Sequence, residues 1–209
     1  MIVMSNGIFT IGHSNHEIEA FLRLLESQSI EVLADVRSSP YSRMVPQFNR
    51  EPLRAVLQRA GVKYAFMGDS LGGKPNDPTC FKDGQVQYDR VARLPAFSWG
   101  LDRLMRGVES HRIALMCAEK DPIMCHRMLL VSRSLFERGI DVRHILADGG
   151  LESQREAEER MMDARGVPHE DFFEPHSSLL NRAYALQSRA CAFALREAEA
   201  DAPVNGIAS

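Results

Sequence analysis

Apolar residues come in five short runs over residues 7–147, and stretches with helical spacing separate them. Each run has the length of a buried β-strand. The runs occupy residues 7–12, 31–36, 62–67, 112–117 and 141–147. Strands that alternate with helices in this way favour an open, mainly parallel sheet of about five strands flanked by helices, a Rossmann-like α/β fold.

The segments between the runs carry helix boundary signals. Ser14 and Glu17 have the spacing of a capping box, which predicts that the first helix begins there. Asn49 predicts the start of a second helix, which ends at Gly61. A further helix is predicted over residues 122–138, because an aspartate and a proline open it.

The remaining sequence predicts one domain with a helical C-terminal extension. The α/β domain is expected over residues 1–165, with the extension over residues 166–200 packed on it. Within the extension, residues 184–199 have the pattern of a terminal helix. Residues 201–209 are expected to be a frayed tail.

Composition narrows the classes of function. The formal net charge is −3, so the chain as a whole is not a polycationic nucleic-acid binder, although a local basic cleft is compatible with it. No apolar run approaches the length of a membrane span, and the opening residues lack the pattern of a signal peptide. Four cysteines without the spacing of a small disulfide scaffold suggest a reducing compartment, so we expect a cytoplasmic protein.

Reactive and charged side chains follow the predicted strands directly. Because ligands bind beyond the carboxyl ends of strands in open parallel sheets, we expect these residues to form one site. They are His13, Ser14, Asp35, Arg37, Asp69, Cys117, Glu119 and Asp148.

The stretch LMCAEKDPIMCHR concentrates the candidate chemistry. Cys117 ends a strand and faces the predicted helix start, whose free N–H groups favour anions and thiolates. We therefore predict that Cys117 is the ionised, reactive thiol, with His126, Glu119 or His13 as proton shuttle. Cys125 falls on the apolar side of the predicted helix, so core packing competes with a place in the substrate site.

A second polar segment is typical of anion binding. Two arginines with serines nearby suit a phosphate or carboxylate, and a Gly-Gly pair after the third strand can approach a phosphate through its backbone. The predicted substrate-binding residues are Ser14, Asp35, Arg37, Ser42, Arg43, Gly72, Gly73, Cys125 and Arg127. A Walker loop, a dinucleotide fingerprint and a nucleophile elbow are all absent from the sequence.

No metal ligand is predicted, and the sequence does not identify a cofactor. The spacing from Cys117 to the adjacent Cys125 and His126 matches none of the common zinc signatures. On a helix, moreover, two consecutive side chains point about 100° apart, which does not suit one ion.

Five segments together resemble a known family. They are TIGHSN, ADVRSSPYSR with a later QFN, YAFMGDSLGG, LMCAEKDPIMCHR and ILADG, and they cover about residues 8–150 in unbroken order. The chain is similar to the family known as domain of unknown function 488. The resemblance implies that the following are family motif positions: Gly12, His13, Ser14, Asp35, Arg37, Pro40, Ser42, Arg43, Leu71, Gly72, Gly73, Cys117, Glu119, Cys125, His126 and Arg127. It implies no reaction, since none is established for the family.

Three hypotheses therefore stand at this point. The leading one is an enzyme acting on a phosphate-bearing or other anionic substrate, perhaps a nucleotide or nucleic acid, in a cleft at the strand ends. The second is a module that binds an anion or nucleic acid without chemistry. The third is a cysteine-based redox or metal-responsive protein, which requires the two sulfurs within disulfide reach or both beside His126. No membrane partner is expected, and the sequence does not indicate an oligomeric state.

Overall fold

The computed structural model describes residues 7–194, and these form a mixed six-stranded sheet with helices on both faces. The strands are β1 Ile8–Gly12, β2 Val32–Asp35, β3 Lys63–Phe66, β4 Phe81–Lys82, β5 Gln85–Val86, β6 Ile113–Cys117, β7 Val142–Ile145 and β8 Leu151–Ser153. The helices are α1 Ile18–Ser27, α2 Arg50–Arg59, α3 Gly68–Leu71, α4 Tyr88–Val91, α5 Pro95–Val108, α6 Arg133–Phe136, α7 Gln154–Ala164 and α8 His176–Cys191. The predicted α/β class and all five predicted strands are confirmed.

The strand order in the sheet is β3-β2-β6-β1-β7-β8. The first five of these run parallel, and only the short β8 is antiparallel to its neighbour β7. Outside the sheet, β4 and β5 form a small antiparallel hairpin. Because β6 lies between β2 and β1, the segment that follows β6 emerges beside the ends of both.

Alternating side chains on the strands serve two separate cores, as expected for a sheet covered on both faces. On β1, Phe9 and Ile11 face the layer that contains α1 and α2, whereas Ile8 faces the opposite layer. On β6, Leu115 and Cys117 face that opposite layer, which contains α5, α7 and α8. The side chain of Cys117 therefore leaves the sheet toward the helices that follow β6.

The register brings the ends of the three central strands level. Gly12 of β1 pairs with Cys117 of β6, and Asp35 of β2 pairs with Met116. The pairing continues past the strand ends, since the amide of His13 donates to the Cys117 carbonyl at 2.9 Å. The predicted convergence of strand ends thus has a structural basis in this register.

The helix predicted over residues 122–138 is three pieces instead of one. A 3₁₀ turn spans Pro122–Met124, a π-helix spans Arg127–Ser132, and α6 completes the segment. Between the first two pieces, Cys125 has extended dihedral angles, with φ −136° and ψ 140°. The helical-wheel placement of Cys125 was wrong for this reason, because Cys125 does not lie on a helix.

Two further boundaries differ from the prediction. The terminal helix predicted over residues 184–199 is α8, which begins earlier and ends at Cys191. Phe193 then pairs with the hairpin, because its carbonyl accepts a 3.0 Å hydrogen bond from the Val86 amide. The chain follows the hairpin here instead of continuing the helix. The predicted tail and the last predicted residues of that helix lie outside the described residues.

The capping-box prediction was also wrong. Glu17 is the N-cap of α1 without a side-chain cap, and Ser14 lies in the left-handed region at φ 46°. Asn49 precedes α2 as predicted, but its side chain accepts from the Ser42 amide at 2.6 Å and leaves the helix uncapped.

A buried ion pair fixes the chain where β2 ends. The guanidinium of Arg37 donates to both carboxylate oxygens of Asp35, at 2.9 and 2.6 Å, and Asp35 is fully buried. The Tyr64 hydroxyl from β3 donates to the same carboxylate at 2.7 Å. This network couples two adjacent strands to the loop that follows β2.

We predict that Asp35→Ala lowers the free energy of unfolding by about 3–5 kcal/mol, because it leaves a buried guanidinium without its partner. The control is Glu174→Ala, which removes an exposed ion pair with Arg182 and should cost only about 0–1 kcal/mol. Urea unfolding of the two variants checks the difference. Equal losses would contradict a structural role for the buried pair.

Candidate functional site

A cavity of about 310 Å³ opens at the carboxyl ends of β2 and β6. Its walls come from the loop after β2, the Gly-Gly segment after α3, the turn after β6, and the residues around the end of α8. The lining residues are Arg37, Ser38, Ser39, Gly73, Lys74, Tyr88, Cys117, Ala118, Glu119, Met124, His126, Cys191 and Phe193. Five of the residues predicted for the site are therefore on the cavity wall.

Four reactive side chains meet beside this cavity. One potential ligand atom from each of Cys117, Glu119, Cys125 and His126 lies within 4.8 Å of every other. We call these four residues the thiol cluster. The Nδ1 atom of His126 is 3.5 Å from the Cys117 sulfur and 3.9 Å from the Cys125 sulfur. The Cys125 sulfur is also hydrogen-bonded to Glu119 Oε2 at 2.9 Å.

The local backbone conformation directs the sulfurs of Cys117 and Cys125 into the cluster. Cys117 ends β6 on the face toward the following helices. Asp121 caps the 3₁₀ turn by accepting from the Ile123 amide at 3.2 Å, and the extended residue Cys125 follows this turn. The Arg127 amide then donates to the Cys125 sulfur at 3.4 Å. A backbone donor of this kind stabilises negative charge on the sulfur.

His126 is held in one orientation by the loop after β2. Its Nε2 lies 3.0 Å from the Val36 carbonyl oxygen, which can only accept, so Nε2 carries the proton. Nδ1 of the ring consequently points toward the two sulfurs. Gly73 packs directly on this ring, since an added Cβ would lie 2.6 Å from His126 Cγ. A side chain at position 73 would therefore displace the imidazole.

Arg127 supports the cluster from behind. Its guanidinium is fully buried and donates to the backbone carbonyls of Glu119, at 2.6 Å, and Lys120, at 3.1 Å. A third bond, to Thr10 on β1, is 3.3 Å long. The Glu119 carbonyl also crosses so close to Gly12 that a Cβ there would lie 1.9 Å from it. Arg127 was predicted to bind substrate, but its side chain is fully buried and three of its five N–H groups donate within the protein.

The protonation of the two thiols is the reverse of the expectation. Burial raises the pKa of Cys117 well above its usual value, and the neighbouring Cys125 and Glu119 raise it further. For Cys125, burial also acts to raise the pKa. The hydrogen bond from Cys117 and the charges of Arg127 and His126 outweigh it and hold the pKa well below the usual value. These neighbours therefore favour ionisation of Cys125 over ionisation of Cys117.

The other two members of the thiol cluster respond to Cys125. Burial acts to lower the pKa of His126, but contact with Cys125 and Glu119 raises it above the ordinary value. Burial and the charge on Cys125 together raise the pKa of Glu119. The cluster thus combines a thiol that ionises readily and a thiol that stays neutral with an imidazole and a carboxyl group that both hold protons more tightly than usual.

Arg37 lines the cavity and is held in place by several buried partners, among them His13. Besides its bonds to Asp35, Arg37 donates to the Phe48 carbonyl at 2.9 Å and to His13 Nε2 at 3.1 Å. His13 stacks on the Phe48 ring with centroids 4.5 Å apart. Burial first, and then the nearby Arg37, lower the pKa of His13 to about 4, so this ring is neutral. His13 belongs neither to the thiol cluster nor to the cavity lining, and its ring instead contacts Arg37.

The remaining predicted substrate-binding residues shape loops. The Ser42 hydroxyl accepts from the amides of Met44 and Val45, at 3.2 and 3.4 Å. Gly72 packs against Ser38, where a Cβ would lie 2.5 Å from the hydroxyl oxygen. The cavity lining does not include Ser14, Asp35, Ser42, Arg43, Gly72, Cys125 or Arg127.

Several cavity residues carried no signal in the sequence. Tyr88, Cys191 and Phe193 reach the cavity only because α4 and the end of α8 fold over it, and Met124 reaches it from the 3₁₀ turn. Cys191 donates its thiol proton to the Gln187 carbonyl at 3.1 Å, and burial raises its pKa to about 11. It is therefore a third, neutral thiol on the same cavity.

A larger cavity of about 410 Å³ lies between the β4–β5 hairpin, α8 and the π-helix. Its lining includes Arg133, Tyr184 and Arg189, but none of the thiol cluster. Arg133 is already occupied there, because it donates to Glu137 and Asn181 and covers the Tyr184 ring. The smaller cavity is the one that combines space with reactive groups.

We predict that the metal-free, reduced protein shows a thiolate ultraviolet absorption band at neutral pH. Cys125→Ser should remove this band and Cys117→Ser should keep it, because the serine hydroxyl can still donate toward Cys125. The pKa values of Cys80 and Cys191 are both raised, so neither contributes. Loss of the band in Cys117→Ser together with its retention in Cys125→Ser would reverse the assignment.

Comparison with known proteins identifies the family and no closer relative. The family model described as "Domain of unknown function DUF488" matches residues 17–134, which is more than half of the 209 residues. No curated protein and no solved structure matches the chain. Within residues 7–194, no helix is long and apolar enough to cross a membrane. The chain belongs to the DUF488 family of domains of unknown function.

Proposed function

We propose that this protein is an enzyme that converts a small anionic molecule in the cavity at the carboxyl ends of β2 and β6. One observation carries the proposal: a cysteine pair, a histidine and a glutamate meet within 4.8 Å of one another beside a cavity with polar walls. Pockets at the strand ends of an open parallel sheet are where ligands bind in folds of this class.

The shifted pKa values in the thiol cluster support a catalytic role of these side chains over a purely structural one. Titratable groups with displaced pKa values that converge in a cleft are typical of active sites. The Cys125 pKa is lowered, whereas the pKa values of Glu119 and His126 are raised. Glu119 and His126, which line the cavity, can therefore hold and release protons at one end of it, next to the Cys125 sulfur.

The walls of the cavity favour an anion. Lys74 is exposed at the rim, and its amide is anchored to the Ser38 hydroxyl at 2.9 Å. Ser38 and Ser39 add hydroxyl groups to the wall. Arg37 lines the cavity, and its bonds to Asp35, Phe48 and His13 use all but one of its N–H groups. The second hydrogen on Nη1 remains available to a ligand. The raised pKa of Glu119 reduces its repulsion of an incoming anion.

The size of the cavity favours a small molecule over a nucleic-acid strand. At about 310 Å³ it is at the lower end of the range for ligand pockets. A non-catalytic anion-binding module should instead present a rim dominated by basic groups. Here the guanidinium of Arg127 is buried behind the cavity and most donors of Arg37 bond within the protein. These observations favour the enzyme.

We predict that the protein, as isolated, consumes at least one small phosphate- or carboxylate-bearing compound from a soluble metabolite extract. Mass spectrometry before and after incubation identifies the compound and its product. Cys125→Ser and Glu119→Gln should both lower the rate by at least about 100-fold, which is the lower range for loss of one acid–base group. Cys191→Ser, on the same cavity, is the matched control and should keep most of the activity.

The anion part of the proposal has a separate control. Lys74→Gln should raise KM for the same compound by about tenfold, equivalent to about 1.4 kcal/mol, with kcat nearly unchanged. Lys63→Gln changes a lysine at the other end of the sheet and should leave KM as it is. If compounds are retained by the protein and none is converted, the enzyme proposal fails and the binding module replaces it.

A further inference from the structure

We infer that the thiol cluster is a zinc site, with Cys117, Cys125 and His126 as preset ligands and Glu119 as an exchangeable fourth ligand beside the cavity. This inference deepens the proposed function and rests on it for the role of the metal, whereas the binding of the metal is measurable without any substrate. The ligand set of two cysteines, one histidine and one carboxylate is suited to Zn²⁺.

The distances match a tetrahedral ion. Zinc bonds of about 2.3 Å to sulfur and about 2.0–2.1 Å to nitrogen place a sulfur and a nitrogen ligand about 3.6 Å apart across a tetrahedral angle. The Nδ1 atom of His126 is 3.5 Å from the Cys117 sulfur and 3.9 Å from the Cys125 sulfur. Both sulfur–nitrogen distances are therefore close to the separation that one ion requires, and the two sulfurs lie within 4.8 Å of each other.

The groups around these ligands have the orientation that metal sites use. A metal-binding histidine usually donates its other ring N–H to a carbonyl or carboxylate, which fixes the tautomer. His126 does so through Nε2 to the Val36 carbonyl at 3.0 Å, leaving Nδ1 toward the sulfurs. The Arg127 amide donates to the Cys125 sulfur at 3.4 Å, which favours the thiolate form needed for coordination.

Glu119 differs from the other three ligands. Its Oε2 lies 2.9 Å from the Cys125 sulfur, which is closer than a tetrahedral edge and is a hydrogen bond. It must therefore move away from the sulfur to bind the ion, and its residue is exposed. Because Glu119 also lines the cavity, the position that it vacates faces the space for the substrate. A metal with three fixed protein ligands and one open position is typical of catalytic zinc.

The local structure removes both arguments against a metal site that the sequence provides. Adjacent helical residues cannot both bind one ion easily, but Cys125 is extended and only His126 begins the helix. The sequence spacing of Cys117 and Cys125 is not a zinc signature, yet the cap at Asp121 turns the chain back so that the sulfurs lie within 4.8 Å.

The test is the binding of zinc to the reduced, metal-free protein, measured by competition with a chromophoric chelator. We expect one Zn²⁺ per chain. Proton release, measured by calorimetry in buffers of different ionisation enthalpy, should accompany binding, because the Cys117 thiol and the proton shared by Cys125 and Glu119 must leave. Cobalt(II) should give tetrahedral bands with a sulfur-to-metal charge-transfer band.

Matched variants distinguish the residues that bind the metal from neighbouring residues that do not. Cys125→Ser and His126→Gln should each weaken zinc binding by more than about 100-fold, beyond the roughly 10- to 100-fold that loss of an orienting group costs. Cys191→Ser, on the same cavity, should keep the parent affinity. Glu119→Gln should keep the stoichiometry of one with weaker binding. Cys117→Ser should reduce the cobalt charge-transfer band by about half, since one of two thiolates is lost.

Two results would overturn the inference. One is a parent protein that binds no zinc in competition with the chelator. The other is a parent that binds zinc while Cys125→Ser and His126→Gln both keep the parent affinity, because the ion would then lie away from the thiol cluster. If zinc is not bound but a compound from the extract is converted, the metal inference fails alone. If zinc is bound and no compound is converted, the proposed enzyme fails and the metal site stands.

Discussion

The buried guanidinium of Arg127 is the constraint on which the site depends. A buried charge must be paired or fully hydrogen-bonded, because its desolvation is costly. Arg127 meets this demand with the carbonyls of Glu119 and Lys120 and with the hydroxyl of Thr10. These bonds tie the turn after β6 to the centre of β1 and to the start of the π-helix. The positions of Glu119 and of the Cys125 sulfur both follow from them.

The same hydrogen-bond chain continues toward the C-terminal helices. The Thr10 hydroxyl is 2.8 Å from His144 Nδ1 on β7, and His144 Nε2 is 3.1 Å from the side-chain oxygen of Gln154 on α7. Gln154 in turn donates to the Tyr184 hydroxyl of α8 at 2.8 Å. A continuous polar path therefore joins the support of the thiol cluster to the helix whose end forms the cavity wall. Because each buried polar group is hydrogen-bonded to the next, replacing one of them should weaken the hydrogen bonds of the others along the path.

Electrostatics at the site come from charges placed behind it. Arg127 lowers the pKa of Cys125 from a buried position, and Arg37 is compensated by Asp35 on the other side. Both arginines are therefore held by partners within the protein and neither clamps the cavity. This arrangement leaves the space in front of the cluster free for a ligand, which two exposed arginine side chains would occupy.

Much of the fold could be predicted from the sequence, because buried parallel strands are continuous apolar runs and the helices between them are amphipathic. All five strands of the parallel part agree with the prediction. The convergence of residues at the strand ends followed from the fold class, and Cys117, Glu119, His126, Arg37 and Gly73 do line one cavity.

The division of the segment after β6 could not be predicted in the same way. Asp121 and the proline after it signal a helix start, but they open only a 3₁₀ turn, and the register of Arg127 with Thr10 decides where the longer helix begins. The expected packing of Cys125 on the apolar side of a helix depended on that boundary, and it does not hold because Cys125 is extended. Tyr88, Cys191 and Phe193 reach the site through tertiary packing, which has no local pattern.

We propose, centrally, that Cys117, Cys125 and His126 form one centre that binds a common zinc ion. X-ray absorption at the metal edge of the zinc-loaded protein tests this claim most directly. We expect two sulfur neighbours at about 2.3 Å and nitrogen or oxygen neighbours at about 2.0–2.1 Å, and the loss of one sulfur in Cys117→Ser. A spectrum with only nitrogen and oxygen neighbours would contradict the claim, because it would place the metal away from the two thiols.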